Sequence, residues 1–96
     1  MIKHIVVWRL KQTAQATEMK QKLEGLKNLI HEIQNLEVGI NINHSSESKS
    51  DIVLITRFNS LNELNQYIHH PEHQKVAQWI KTLAEERRVI DFQEEA

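Results

Sequence analysis

Two stretches of this chain, IKHIVVWRL at residues 2–10 and DIVLITRF at residues 51–58, carry apolar side chains at both odd and even positions. Both are rich in β-branched and aromatic residues, the composition of extended strand. Successive side chains of a strand point to opposite faces of its sheet. Ile2, His4, Val6, Trp8 and Leu10 therefore share one face of the first strand, and Ile5 and Val7 take the other. In the second stretch Ile52, Leu54 and Phe58 oppose Val53 and Ile55. An antiparallel sheet built from such strands needs cover on both sides. A chain of 96 residues lies near the lower end of what can bury a stable core alone, so it has few elements to spare for that task.

The remaining pattern shows which elements those are. Ala16, Met19, Leu23, Leu26, Ile30 and Ile33 recur every three or four residues, which predicts a helix from about Gln15 to Asn35 with Gly25 as its weak point. EVGININ at 37–43 alternates strictly and predicts a strand with Val38, Ile40 and Ile42 on one face. The polar run HSSESKS at 44–50 reads as a loop. Ser60 followed by Glu63 is a capping box, opening a short helix that carries Leu61, Leu64 and Ile68 inward. Pro71 interrupts it and suits the first turn of a second helix, predicted over Pro71 to Glu86 with Val76, Ile80 and Leu83 as its buried stripe. RVIDF at 88–92 is a last strand.

The order β-α-β-β-α-β over a single domain, residues 1–96, predicts an α+β fold of ferredoxin-like type, an antiparallel sheet with helices on one face. No element is left for the other face. The simplest cover is a second copy of the same sheet, which predicts a homodimer through the sheet faces, closing a barrel-like core. Each Val or Ile side chain so buried contributes roughly 1.5–3 kcal/mol.

Composition narrows the partners. Twelve Lys and Arg against thirteen Asp and Glu leave no broad positive field, so no nucleic acid and no anionic membrane is expected. The absence of cysteine removes disulfides and thiolate metal cages and fits a reducing compartment. The apolar run Ile5 to Trp8 is far too short for a signal-peptide core or a membrane span, so a cytoplasmic location is expected.

Chemistry concentrates in YIHHPEHQKV at 67–76, with three histidines, the only tyrosine and the only proline of the chain. Imidazole can act as a general base near neutrality, and a tyrosine hydroxyl can polarise a carbonyl. His73 and Tyr67 are the candidate catalytic pair, brought together only if the proline break turns the second helix back. The structural alternative for His70 and His73 is a hydrogen bond to free backbone groups at the helix start. His4, beside Val6 and Trp8, has the same two readings. His69 and His73 have the spacing of a helical ligand pair, but Pro71 lies between them and no metal site is expected. His31 and His69 read as surface residues, and Trp79 as core.

KHIVVWRL, the buried helix, DIVLITRF with Asn59 and Ser60, then Leu64, Tyr67, His70-Pro71, His73 and VIDF, in this order and spacing, make the chain similar to the Dabb family of stress-responsive dimeric α/β-barrel domains. The resemblance implies the same dimeric barrel, and many of that family have no assigned activity. One branch, polyketide cyclases related to olivetolic acid cyclase, carries catalysis on a Tyr-x-x-His-Pro-x-His segment. The resemblance assigns that role to Tyr67 and His73 and puts His4 in the pocket. Asp51 stands where that branch has a pocket histidine, and Trp8 stands where it has a smaller aliphatic residue. The expected ligand-binding set is His4, Val6, Trp8, Asp51, Val53, Ile55 and His70.

Three functions follow as expectations. One is a binding module holding a small apolar or aromatic molecule between sheet and helices. The second is a cofactor-free, cyclase- or lyase-like enzyme acting on a carbonyl compound, with His73 as base and Tyr67 as polariser. The third is a structural stress protein. Trp8 separates the first two from the third, because an indole that fills the space leaves room for no ligand.

Overall fold

A computed structural model describes residues 1–95. The elements are β1 (Ile2–Leu10), a single 3-10 turn (Thr13–Gln15), α1 (Ala16–Leu29), β2 (Asn35–Ile40), β3 (Ile52–Phe58), α2 (Leu61–His69), α3 (Pro71–Leu83) and β4 (Ala84–Gln93). The four strands form one sheet in the order β2-β3-β1-β4, all pairs antiparallel. This is the ferredoxin-like arrangement that the alternation of patterns predicts.

The side-chain period of two then sorts the sheet. Ile2, His4, Val6, Trp8 and Leu10 of β1 and Ile52, Leu54, Thr56 and Phe58 of β3 are buried under the helices. Met19, Leu23 and Leu26 of α1, Leu64 and Tyr67 of α2, and Ile80 and Leu83 of α3 close over them. On the other face a band of Ile55, Ile5 and Ile90 crosses three strands in register, with Val53 and Val7 on one side and Phe92 on the other. Nothing among the described residues covers this band: Ile90 is 60% and Phe92 42% exposed. One end of the face is charged, where Arg57 donates from Nε and Nη2 to the Glu94 carboxylate at 2.6 and 2.9 Å and Lys3 lies 3.9 Å from it.

Several boundaries differ from the sequence reading, each for a physical reason. α1 stops at Leu29, not near Asn35, because Ile30 turns to extended backbone. Ile30 and Ile33 are still buried, since a spacing of three can be met by a turn as well as by a helix. β2 ends at Ile40, where its partner β3 begins at Ile52. Asn41 then bends the chain, its side-chain amide donating to Ser48 Oγ and the Ser50 carbonyl, both at 2.6 Å. Ile42 consequently leaves the sheet and is 89% exposed, against the expectation that it extends the strand on the face of Val38 and Ile40. Leu61, expected to face inward, is 66% exposed at the first position of α2. α3 ends at Leu83 and not Glu86, because the AEER segment, a good helix former by propensity, pairs with β1 instead.

Candidate active site

Helix starts decide the position of the reactive side chains. The Ser60 hydroxyl accepts from the Glu63 N–H at 3.2 Å, fixing the start of α2. Six residues on, Tyr67 is fully buried on its inner face, its ring 5.0 Å from that of Phe58. Pro71 occupies the first turn of α3, where a missing N–H costs nothing. His70 caps that helix, its Nδ1 accepting from the Glu72 N–H at 3.1 Å. The break turns α3 back over the sheet far enough for His73 to reach across it: His73 Nδ1 lies 2.9 Å from the Ile68 carbonyl of α2. That carbonyl belongs to the last turn of α2, where no intrahelical N–H remains for it.

The three residues of interest therefore meet. The rings of Tyr67 and His73 are 4.4 Å apart, and those of Tyr67 and His4 are 6.0 Å apart, edge to face. A carbonyl can only accept, so His73 Nδ1 carries the proton and Nε2 keeps its lone pair. His4 Nδ1 is hydrogen-bonded to Asp91 Oδ1 of β4, and since an ionised carboxylate can only accept, that nitrogen carries a proton. Burial holds the His73 imidazole below its usual 6.5, opposed by its bond to the Ile68 carbonyl and assisted by the positive charge of Arg87. Burial also pushes the Tyr67 hydroxyl well above its usual value of 10, opposed by the charge of Arg87. At neutral pH His73 is thus an unprotonated acceptor and Tyr67 a protonated donor. The Tyr67 hydroxyl and Trp8 Nε1 are buried with no hydrogen-bond partner among the described residues.

These rings border a cleft of about 420 Å³ between sheet and helices. Val6, Trp8 and Leu54 line it from the sheet, Leu23 from α1, and Val76, Ala77 and Ile80 from α3. Trp8 is a wall of this space and does not fill it. Lys81, Glu85 and Arg87 stand at its exposed side.

Four of the expected binding residues are placed elsewhere. Val53 and Ile55 point to the opposite face of the sheet, as their parity with Val7 and Ile5 requires. The Asp51 carboxylate accepts from the Leu10 N–H at 2.7 Å, tying the ends of β1 and β3 together beside a separate polar hollow. His70 is engaged as the α3 cap and does not line the cleft. His31 and His69 are exposed, as expected. Trp79 is partly buried against the core, with Lys22 Nζ 5.2 Å from the centre of its ring.

Sequence reasoning missed Asp91 and Arg87. Asp91 shares a face with Val89 within RVIDF, but pairing it with His4 requires the β1–β4 register, which one sequence does not display. Arg87 falls between the predicted helix, which ends at Glu86, and the predicted strand, which begins at 88, whereas the structure sets it in β4 opposite Trp8.

Comparison with known proteins places this geometry in context. The family model of the stress responsive A/B barrel domain, Dabb, matches residues 2–94. No curated protein matches the chain. Among solved structures, a dimeric protein of unknown function with a ferredoxin-like fold from Bacteroides fragilis has 27% identity and a TM-score of 0.86, with 96% of this chain and 94% of that chain covered. A Dabb family protein with a ferredoxin-like fold from Mesorhizobium loti has 22% identity and a TM-score of 0.74, covering 99% and 97%. The hydroxynitrile lyase of Passiflora edulis has 18% identity and a TM-score of 0.82, covering 95% and 90%, a likeness of fold alone.

Proposed function

The chain belongs to the stress responsive A/B barrel domain (Dabb) family, and on that premise we propose that it is a homodimer, joined through its uncovered sheet faces, whose cleft binds a small apolar or aromatic molecule. The single observation that carries the binding reading is the buried Tyr67 hydroxyl, left without a partner among the described residues on the wall of the cleft. A buried polar group without a hydrogen-bond partner is uncommon, and an acceptor on a ligand would satisfy it. The cleft volume lies within the range of roughly 300–1,000 Å³ usual for small-molecule sites. The dimer reading rests on the apolar band of Ile5, Val7, Val53, Ile55 and Ile90, and several proteins of the same fold are described as dimeric.

The test is an amide-resolved NMR titration with 1-naphthol. Shifts should gather on Val6, Leu54, Tyr67 and Ile80 and vanish in Val76→Trp, which fills the cleft. Shifts scattered over the surface, or unchanged in that variant, would remove the binding reading.

A second reading is favoured by one specific feature, the unprotonated Nε2 of His73 held beside the Tyr67 hydroxyl. In it the chain is an enzyme that needs no cofactor. His73 Nε2 takes a proton from the carbon next to a substrate carbonyl while Tyr67 O–H stabilises the negative charge that grows on the carbonyl oxygen. Asp91 acts through His4, holding its ring and tautomer. Deuterium exchange into a panel of β-dicarbonyl compounds, wild type against His73→Ala, decides it: equal rates would retire the catalytic reading and leave the binding one.

A further inference from the structure

The floor of the cleft and its mouth differ in kind. Val6, Leu54, Val76 and Ile80 make the interior apolar, whereas Lys81, Glu85 and Arg87 stand where it meets solvent. The charges at the mouth are not equivalent. Glu85 is already held by Arg9, its Oε2 3.3 Å from Nε. Of the four arginines of the chain, Arg9, Arg57 and Arg88 each have a carboxylate partner, and Arg87 has none among the described residues. Lys81 likewise has no carboxylate partner among the described residues, so the mouth offers uncompensated positive charge.

Arg87 is also placed to act inward. It lies directly opposite Trp8 in the β1–β4 register, on the face of the sheet that the helices cover. It lines the same cleft as Tyr67 and His73. A guanidinium presents a planar fork of donors and no acceptor, which matches a carboxylate oxygen pair. Trp8 Nε1–H, a donor only, adds to the same bias.

Resting on the binding reading above, we propose that the ligand is an amphipathic carboxylate, its apolar body between Val6, Leu54, Val76 and Ile80 and its carboxylate held at the mouth by Arg87, with Lys81 as a supporting charge. The head group selects the ligand and the floor retains it. A neutral molecule of the same shape keeps the apolar contacts and loses the charge-assisted hydrogen bonds.

Calorimetric titration of the full chain with 4-phenylbutanoate and with its neutral isostere 4-phenylbutanamide tests this. Wild type should prefer the acid by about tenfold or more, the ratio one charge-assisted hydrogen bond of ordinary strength supplies. Arg87→Gln should reduce the preference to about threefold or less, the scale of a remaining exposed charge, while leaving the affinity for the amide as it was. Lys81→Gln should reduce it only in part. Because Arg87 is exposed on an edge strand, unchanged amide binding also shows that the variant is folded. Equal affinity for acid and amide in wild type, or a preference that survives in Arg87→Gln, overturns the proposal while the binding reading stands. Failure to bind either compound overturns both.

Discussion

Replacing Ile5 by Glu places a charge at the centre of the uncovered sheet face, where Ile5 lies between Ile55 and Ile90 in register. In a lone chain the change is mild, because Ile5 is only half-buried there and the penalty is one of strand preference, up to about 1 kcal/mol. In a dimer joined through this face the cost is of another order. Each copy forfeits the burial of what is still exposed of an isoleucine, up to about 1 kcal/mol, and a two-fold interface counts every substitution twice. That alone raises the dissociation constant by up to about thirtyfold, and shutting two like-charged carboxylates into the interface adds several kcal/mol more. Sedimentation velocity over a concentration series, from nanomolar to high micromolar, reads this directly. Wild type should sediment as a dimer at micromolar concentration and Ile5→Glu as a folded monomer, with Leu61→Glu, on the helix side, behaving as wild type. A wild-type monomer with intact circular dichroism, or an Ile5→Glu dimer of unchanged strength, would refute the reasoning from doubly apolar strands.

Other consequences can be checked by substitution and pH. Tyr67→Phe removes an unpartnered buried hydroxyl, so the urea midpoint should stay level or rise; a loss above about 1 kcal/mol would show that the hydroxyl is satisfied in the folded protein. His73, held below its usual 6.5, resists protonation in the folded chain, so the unfolded chain binds more protons once the pH drops below about 6.5. Thermal stability should therefore be level with respect to this group above that pH and fall below it, and the fall should be shallower in His73→Asn. Ser60→Ala removes the cap of α2 at a cost of about 1 kcal/mol, lowering the melting temperature by roughly 4–8 °C in a domain of this size.

The parts of this fold that a single sequence discloses are those dictated by local periodicity. Ile5 and Val7 declare a second face because strand geometry leaves them nowhere else to point, and Ser60 and Pro71 mark helix starts through backbone groups that need a particular neighbour. What the sequence hides is register. The same RVIDF segment is compatible with several alignments against β1, and only the alignment that sets Asp91 beside His4 and Arg87 beside Trp8 gives His4 its partner and brings Arg87 to the cleft. The reach of β4 back to Ala84 is hidden for a related reason, since AEER favours helix locally and pairing with β1 overrides it. Val53 and Ile55 illustrate the reverse case: their parity is legible, and it excludes them from a cleft under the helices whatever the homologous position suggests.

The structural and the chemical readings of His73 need not compete. The carbonyl of Ile68 requires a donor because the proline break ends the helix that would have supplied one. Meeting that need consumes Nδ1 and so commits the neutral ring to the tautomer whose free lone pair is on Nε2. The same bond anchors the ring 4.4 Å from that of Tyr67, on the wall of the cleft. A helix cap that served structure alone would work equally well with any short donor, whereas only imidazole both donates at one nitrogen and accepts at the other. His73→Asn therefore separates the two roles: its amide can donate to Ile68 and preserve most of the stability, but it places no basic nitrogen beside Tyr67. A variant with near-native stability and no proton transfer assigns chemistry to Nε2; one with native exchange rates would leave His73 as a cap.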